Sequence, residues 1–133
     1  MINGDKKKLL LIVEDEIITV KTMVEKLTAE GFEVMVAYDG LQGLDAAKSK
    51  HPDLILLDLL MPKMEGIVML KELRKDDWGK MVPVIILTNL SGITEDKLYD
   101  VSELEPCYYL IKSNVTMEDV VDKINEKLEN LNE

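Results

Sequence analysis

Five residues of this chain combine chemistry-bearing side chains with one shared position, the end of an apolar run. Glu14 and Asp15 follow LLLIV, Asp58 follows LILL, Thr88 follows VPVIIL and Lys112 follows YYLI. Carboxylates gathered within about 4 Å of one another repel by several kcal/mol at intermediate dielectric, so a pocket that collects them calls for a cation. Oxygen donors with no histidine or thiolate among them suit Mg²⁺, or Mn²⁺, which leaves coordination positions for water and phosphate oxygens. Beside such an ion, Lys112 could neutralise an incoming phosphoryl group while the Thr88 hydroxyl donates to one of its oxygens. An aspartate is ionised at neutral pH, needs no general base and is an established covalent acceptor of phosphoryl groups. Asp58 is therefore the candidate nucleophile. Singly, each residue has a plainer reading: an Asp after an apolar run caps a loop, and an acid pair complements a helix dipole. Their recurrence on successive strand ends is what points to one site.

The elements that must bring these residues together alternate along the chain. Leu9 to Val13 is a short continuous apolar run, as in a strand buried on both faces. From Glu16 to Glu30, Val20, Met23, Val24 and Leu27 recur at helical spacing, and Gly31 follows as a helix cap. Phe32 to Ala37 reads as a second strand. Asp39-Gly40 supplies turn chemistry into a helix holding Leu41, Leu44, Ala46 and Ala47, which His51-Pro52-Asp53 stops. Leu54 to Leu57 is the third strand, with Pro62 and Gly66 marking a loop, and Gly66 to Arg74 a helix with Ile67, Leu70 and Leu73 on one stripe. Val84 to Leu87 is the fourth strand, broken by Ser91-Gly92, and Thr94 caps a short helix to about Val101. Cys107 to Ile111 is the fifth. The last helix opens at Thr116, whose spacing to Asp119 fits a capping box, and buries Val120, Val121, Ile124 and Leu128. Strand and helix in strict alternation predict an α/β fold with a parallel sheet covered by helices on both faces, because parallel neighbours need crossover connections. Ligands of such open sheets sit outside the carboxyl ends of the strands, where all five candidates fall.

At 133 residues the chain is expected to be a single domain, 1–133, with a core of about 8–130. With 47% apolar and 32% charged residues, it has the composition of a globular protein. A net charge of −10 argues against direct nucleic-acid binding, and the Lys6–Lys8 run reads as a solvated flank. One cysteine excludes an internal disulfide, and a single histidine excludes a zinc or iron cluster. No apolar run approaches the roughly 18 residues of a membrane span, so no membrane association and a cytoplasmic location are expected. His51 reads as a helix-end residue, Cys107 as a small strand hydrophobe, the eight methionines as core filler and Trp78 as a partly packed loop residue.

IVEDE, LLDLLMPKMEG, ILTN and YLIKS together resemble the receiver domains of two-component response regulators, over nearly the whole chain. The resemblance implies a doubly wound, flavodoxin-like sheet of order 2-1-3-4-5. It implies that Asp58 is the phosphoacceptor, that Asp15 binds Mg²⁺ directly, that Glu14 holds the ion through water, and that the Leu60 backbone carbonyl is a further ligand. Thr88 and Lys112 would contact the phosphoryl group, and Tyr109 would be the switch aromatic coupled to Thr88. The donor would be a sensor histidine kinase or a histidine phosphotransfer protein. Output would pass through a downstream partner docked on the face formed by the fourth helix, fifth strand and fifth helix. Such a protein catalyses its own aspartyl phosphorylation and slow dephosphorylation, and is not a conventional turnover enzyme.

The chain departs from the family pattern in three places. Ser113 follows Lys112 where proline with a cis bond is common; a cis bond to a non-proline residue costs about 2.5–4 kcal/mol, so a trans bond and a rearranged loop are expected. Asn89 stands where a small residue is usual and would narrow access to the site. Leu60 stands two positions after Asp58, where many relatives are polar, and is expected to hinder water and prolong the phosphorylated state. Two other readings remain: a pseudo-receiver that is never phosphorylated, and an aspartate-dependent phosphohydrolase. The second lacks its usual second aspartate, whose place Leu60 takes.

Overall fold

The computed structural model describes residues 7–61, 63–89 and 94–131, leaving the side chains of Asn130 and Leu131 aside. Lys6, the loop proline Pro62 and the Ser91-Gly92 break lie outside the described residues. Strand and helix alternate as expected: β1 (Leu9–Val13), α1 (Ile17–Ala29), β2 (Glu33–Ala37), α2 (Gly40–Lys50), β3 (Leu54–Leu57), α3 (Gly66–Lys75), β4 (Val84–Thr88), α4 (Glu95–Glu103), β5 (Tyr108–Ile111) and α5 (Met117–Leu131). The strands form one parallel sheet in the order β2-β1-β3-β4-β5.

The continuous apolar runs follow from burial on both faces. Alternate side chains of β1, β3 and β4 enter two separate cores. Leu11, Val13, Ile55, Leu57, Val84 and Ile86 meet Ala47 of α2, Ile67, Leu70 and Leu73 of α3, and Val101 of α4. Leu10, Ile12, Leu54, Leu56, Ile85 and Leu87 meet Met23 and Leu27 of α1 and the Val120, Val121, Ile124 and Leu128 stripe of α5. The edge strands are less covered, and β5 is half-buried along its length.

The caps also follow from the sequence. Asp39 accepts the Gln42 amide at 2.8 Å, Thr94 accepts that of Lys97 at 3.2 Å, and Thr116 and Asp119 exchange the two bonds of a capping box. Boundaries shift by one or two residues. Phe32 lies just before β2, its amide bonded to the Leu27 carbonyl, and α4 runs past Val101 to Glu103. Leu41 is exposed rather than packed. His51 caps α2 in the left-handed region at φ 48° and stacks on Trp78 with ring centroids 4.2 Å apart. The described peptide bonds are all trans, Lys112–Ser113 included, and Lys112–Asn114 forms a 3₁₀ turn leading into α5.

Helix α3 is fastened at both ends. At its start a Cβ on Gly66 would stand 2.2 Å from the Asp58 carbonyl oxygen, so only glycine lets the helix approach the end of β3, and its amide bonds the Leu59 carbonyl. At its finish the Arg74 guanidinium donates to the carbonyls of Gly79, Val82, Leu104 and Glu105 at 2.6–3.1 Å, tying the helix to the α3–β4 and α4–β5 loops. Gly66→Ala is expected to lower unfolding free energy by about 1–3 kcal/mol through forced separation of α3 from β3, measured by urea denaturation.

Candidate functional site

Register explains why the chemical residues meet. Val13 pairs with Leu57, so the residues that follow them, Glu14 and Asp58, leave adjacent strands side by side, and the Asp58 amide donates to the Val13 carbonyl at 3.0 Å. On the other flank Thr88 pairs with Ile111, immediately before Lys112. In a parallel sheet these are all carboxyl ends, so side chains distant in sequence share one edge.

The resulting contacts converge on Asp58. Thr88 donates its hydroxyl to Asp58 Oδ1 at 2.7 Å, and the Leu60 amide donates to the same oxygen at 3.1 Å. Lys112 Nζ donates to Asp58 Oδ2 at 3.2 Å and also pairs with Glu14. Glu14 in turn accepts the amide of Glu16 at 3.1 Å through its other oxygen. Glu14, Asp58 and Thr88 are buried, whereas Asp15 faces solvent. Each of Glu14, Asp15 and Asp58 offers a carboxylate oxygen within 4.8 Å of the others.

Burial is the main force on Glu14, pushing its carboxyl up to about 6. The Lys112 and Glu16 hydrogen bonds oppose that rise and the neighbouring Asp58 charge adds to it. Burial pulls the Lys112 ammonium down, but its bonds and charge contacts with Glu14 and Asp58 outweigh this and hold it above the usual lysine value. Glu14 and Asp58 share one ammonium and Asp15 adds a third carboxylate close by, which leaves net negative charge at a partly desolvated edge. This all-oxygen donor set fits a small hard cation such as Mg²⁺ or Mn²⁺.

The structure therefore brings together Glu14, Asp15, Asp58, Thr88 and Lys112. Leu60 is at the site through its amide, and it lines an open cleft with Asp15, Met61 and Glu65. Tyr109 packs with the core beneath α2, α3 and α4. Among the described residues its buried hydroxyl has no hydrogen-bond partner, and burial raises its pKa. No hydrogen bond joins it to Thr88, whose hydroxyl is engaged by Asp58. Glu65 was not singled out by sequence. It lies at the amino-terminal cap of α3, borders the cleft and pairs with Lys97 of α4 at 3.7 Å, and no local pattern announces a contact across 32 residues.

A family profile, the response regulator receiver domain, matches residues 10–125. The transcriptional regulator ycf27 of Porphyridium aerugineum, so described with the qualifier "probable", is 37% identical over 90 residues, covering 68% of this chain and 36% of that protein. Response regulator PleD of Caulobacter vibrioides is 40% identical over 83 residues, covering 62% and 18%. The polar-differentiation response regulator DivK of Brucella ovis is 37% identical over 81 residues, covering 61% and 66%. The chain thus spans about a third of the length of the first of these relatives and less than a fifth of the second. Among solved structures, a CheY-like receiver domain protein from Methanospirillum hungatei superposes with TM-score 0.85 at 26% identity, over 94% of this chain and 96% of that one. The Vibrio cholerae chemotaxis protein CheY4 gives 0.80 at 25% identity, over 91% and 98%.

The chain belongs to the response regulator receiver domain family of two-component systems, with its flavodoxin-like, CheY-like fold.

A pH dependence follows from the raised Glu14 carboxyl. Because its folded value lies above the ordinary 4.5, ionised Glu14 disfavours the folded state above about pH 6, and this cost disappears as pH falls through 6 toward 4.5. In metal-free buffer, the stability of Glu14→Gln relative to wild type should rise by about 2 kcal/mol between acidic and neutral pH, read from urea unfolding at both ends of that window.

Proposed function

We propose that this receiver domain is a Mg²⁺-dependent phosphoacceptor that takes a phosphoryl group from a phosphohistidine onto Asp58. The observation that carries the reading is the convergence of a hydroxyl and an ammonium on one buried carboxylate beside two further acids. A carboxylate oxygen of Asp58 attacks phosphorus, the P–N bond breaks, and the histidine nitrogen leaves with the bonding pair and takes up a proton. Lys112 then offsets charge on the phosphoryl oxygens, and the Thr88 hydroxyl exchanges its Asp58 acceptor for one of them. Asp15, Asp58, the Leu60 carbonyl and Glu14 would hold Mg²⁺, which would supply neutralisation of phosphoryl charge. Slow attack of water on phosphorus returns the free carboxylate and inorganic phosphate.

The expected donor is a sensor histidine kinase or a histidine phosphotransfer protein. Phosphorylation shifts a two-state equilibrium through Thr88 and Tyr109 toward a form whose α4–β5–α5 face binds a downstream partner. The functional setting is cytoplasmic signal transduction; among the described residues no helix is long and apolar enough to cross a membrane.

Incubation with acetyl phosphate and Mg²⁺ should add one phosphoryl group, read by intact mass, and Asp58→Asn or removal of divalent metal should abolish the gain. No modification would favour a pseudo-receiver, and rapid phosphate release without accumulation a phosphohydrolase. Lys112→Met should slow the reaction by on the order of 10²-fold through loss of charge stabilisation.

The half-buried Leu60 beside Asp58 predicts a long-lived phosphorylated state. Leu60→Asn should release phosphate severalfold faster in a single-turnover assay; equal rates would exclude a role for the side chain.

A further inference from the structure

We infer that the amino terminus of α2 positions the β3–α3 loop for metal binding, with Gly40 and Asp39 as positioning residues that act on that loop to place the Leu60 carbonyl. The inference rests on the reading of Asp15, Asp58 and that carbonyl as Mg²⁺ ligands, and it adds two residues outside the ligand set.

The loop and the start of α2 share one edge of the sheet. Strand β2 ends at Ala37, whose carbonyl accepts the Glu14 amide at 3.0 Å, and Asp39 and Gly40 follow at once. The Gly40 amide donates to the Met64 carbonyl at 3.1 Å. A Cβ on Gly40 would stand 2.1 Å from that oxygen and 2.9 Å from the Met64 carbonyl carbon and Cβ, so α2 meets the loop with no room for a side chain. At its other end the loop is held by the Gly66 amide on the Leu59 carbonyl at 3.0 Å and by the Leu60 amide on Asp58 at 3.1 Å. Those two bonds come from the loop's own flanks, whereas the Gly40 bond ties it to a separate helix.

Asp39 is a carboxylate that the phosphoryl chemistry leaves unused, yet it is only 4% exposed. Its Oδ1 accepts the Gln42 amide at 2.8 Å, and the Gln42 side chain accepts the Tyr38 amide at 3.3 Å. This cap fixes the first turn of α2 and so the direction of the Gly40 amide. Asp39 Oδ2 also lies 3.7 Å from Lys63 Nζ, a pair that adds little by itself because the lysine is largely exposed. Lys63, next to Met64, has φ 64°, a left-handed conformation that a residue with a side chain keeps only where its surroundings impose it. Mg²⁺ demands near-ideal octahedral geometry, and groups that orient its ligands typically change metal affinity by about 10–100-fold. A loop pinned from α2 meets that demand.

The test is titration of the metal-free full chain with Mg²⁺, followed by the amide signals of the β3–α3 loop, with urea unfolding of each variant alongside. Gly40→Ala should raise the Mg²⁺ dissociation constant at least about tenfold. Leu128→Ala, a core truncation on α5, should lower stability and change that constant less than about twofold. Asp39→Ala and Asp39→Asn remove the same charge, but asparagine keeps the cap, so the alanine variant should bind Mg²⁺ at least about threefold more weakly than the asparagine one. If Gly40→Ala does not fold, the Asp39 pair decides. Wild-type affinity in Gly40→Ala, equal affinity in the two Asp39 variants, or an equal loss in Leu128→Ala would overturn the inference. Intact mass after acetyl phosphate reads the phosphoacceptor function separately. A wild type that is phosphorylated while Gly40→Ala binds Mg²⁺ normally refutes only the positioning role. Variants in the expected order of Mg²⁺ affinity, on a chain that takes no phosphoryl group, refute only the phosphoacceptor reading. A wild type that binds no Mg²⁺ refutes both.

Discussion

The structure depends on tolerating like charge at the end of a hydrophobic sheet. Glu14 and Asp58 emerge from strands whose other residues are almost wholly buried, and the Lys112 ammonium lies between them, paired to both. Without that ammonium, two carboxylates would remain at low exposure with hydroxyl and amide donors alone, an arrangement whose desolvation cost hydrogen bonds offset only in part. Three carboxylates beside one ammonium remain incompletely neutralised, and the Glu14 carboxyl is raised mainly by burial, with the Asp58 charge adding to it. The same excess of negative charge suits a divalent cation with oxygen ligands.

Strand register is the second constraint, because it converts sequence order into proximity. A one-residue slip of β3 against β1 would turn Leu56 and Leu57 to the wrong cores and carry Asp58 away from Glu14. The apolar packing that holds β1, β3 and β4 in register therefore also sets the geometry at the charged edge. Stability and site geometry are here one property of the same side chains.

Much of this was legible in the residues. Runs such as LLLIV and LILL, too short for helices and apolar throughout, identified central strands, and helical spacing identified the α1, α3 and α5 stripes. Thr94, Asp39 and the Thr116–Asp119 pair announced helix starts because capping needs their side-chain oxygens. Sheet order came from the family resemblance, since local periodicity carries no information on which strands are neighbours. Contacts settled only in three dimensions were not legible: His51 on Trp78, Glu65 on Lys97, and the Gly66 approach to the Asp58 carbonyl. Tyr109 reads as a strand aromatic in sequence, and only its surroundings reveal a hydroxyl without a partner among the described residues.

Helix α3 has a mechanical consequence beyond covering the sheet. Its ten residues span about 15 Å, with glycine seated on the backbone of the aspartate at one extremity and the arginine fork gripping four peptide oxygens at the other. A rod clamped at both tips transmits displacement instead of absorbing it. The turn at Leu104 and Glu105 is thus yoked to the aspartate's own main chain, and tilting the rod at either tip moves the ground under the other.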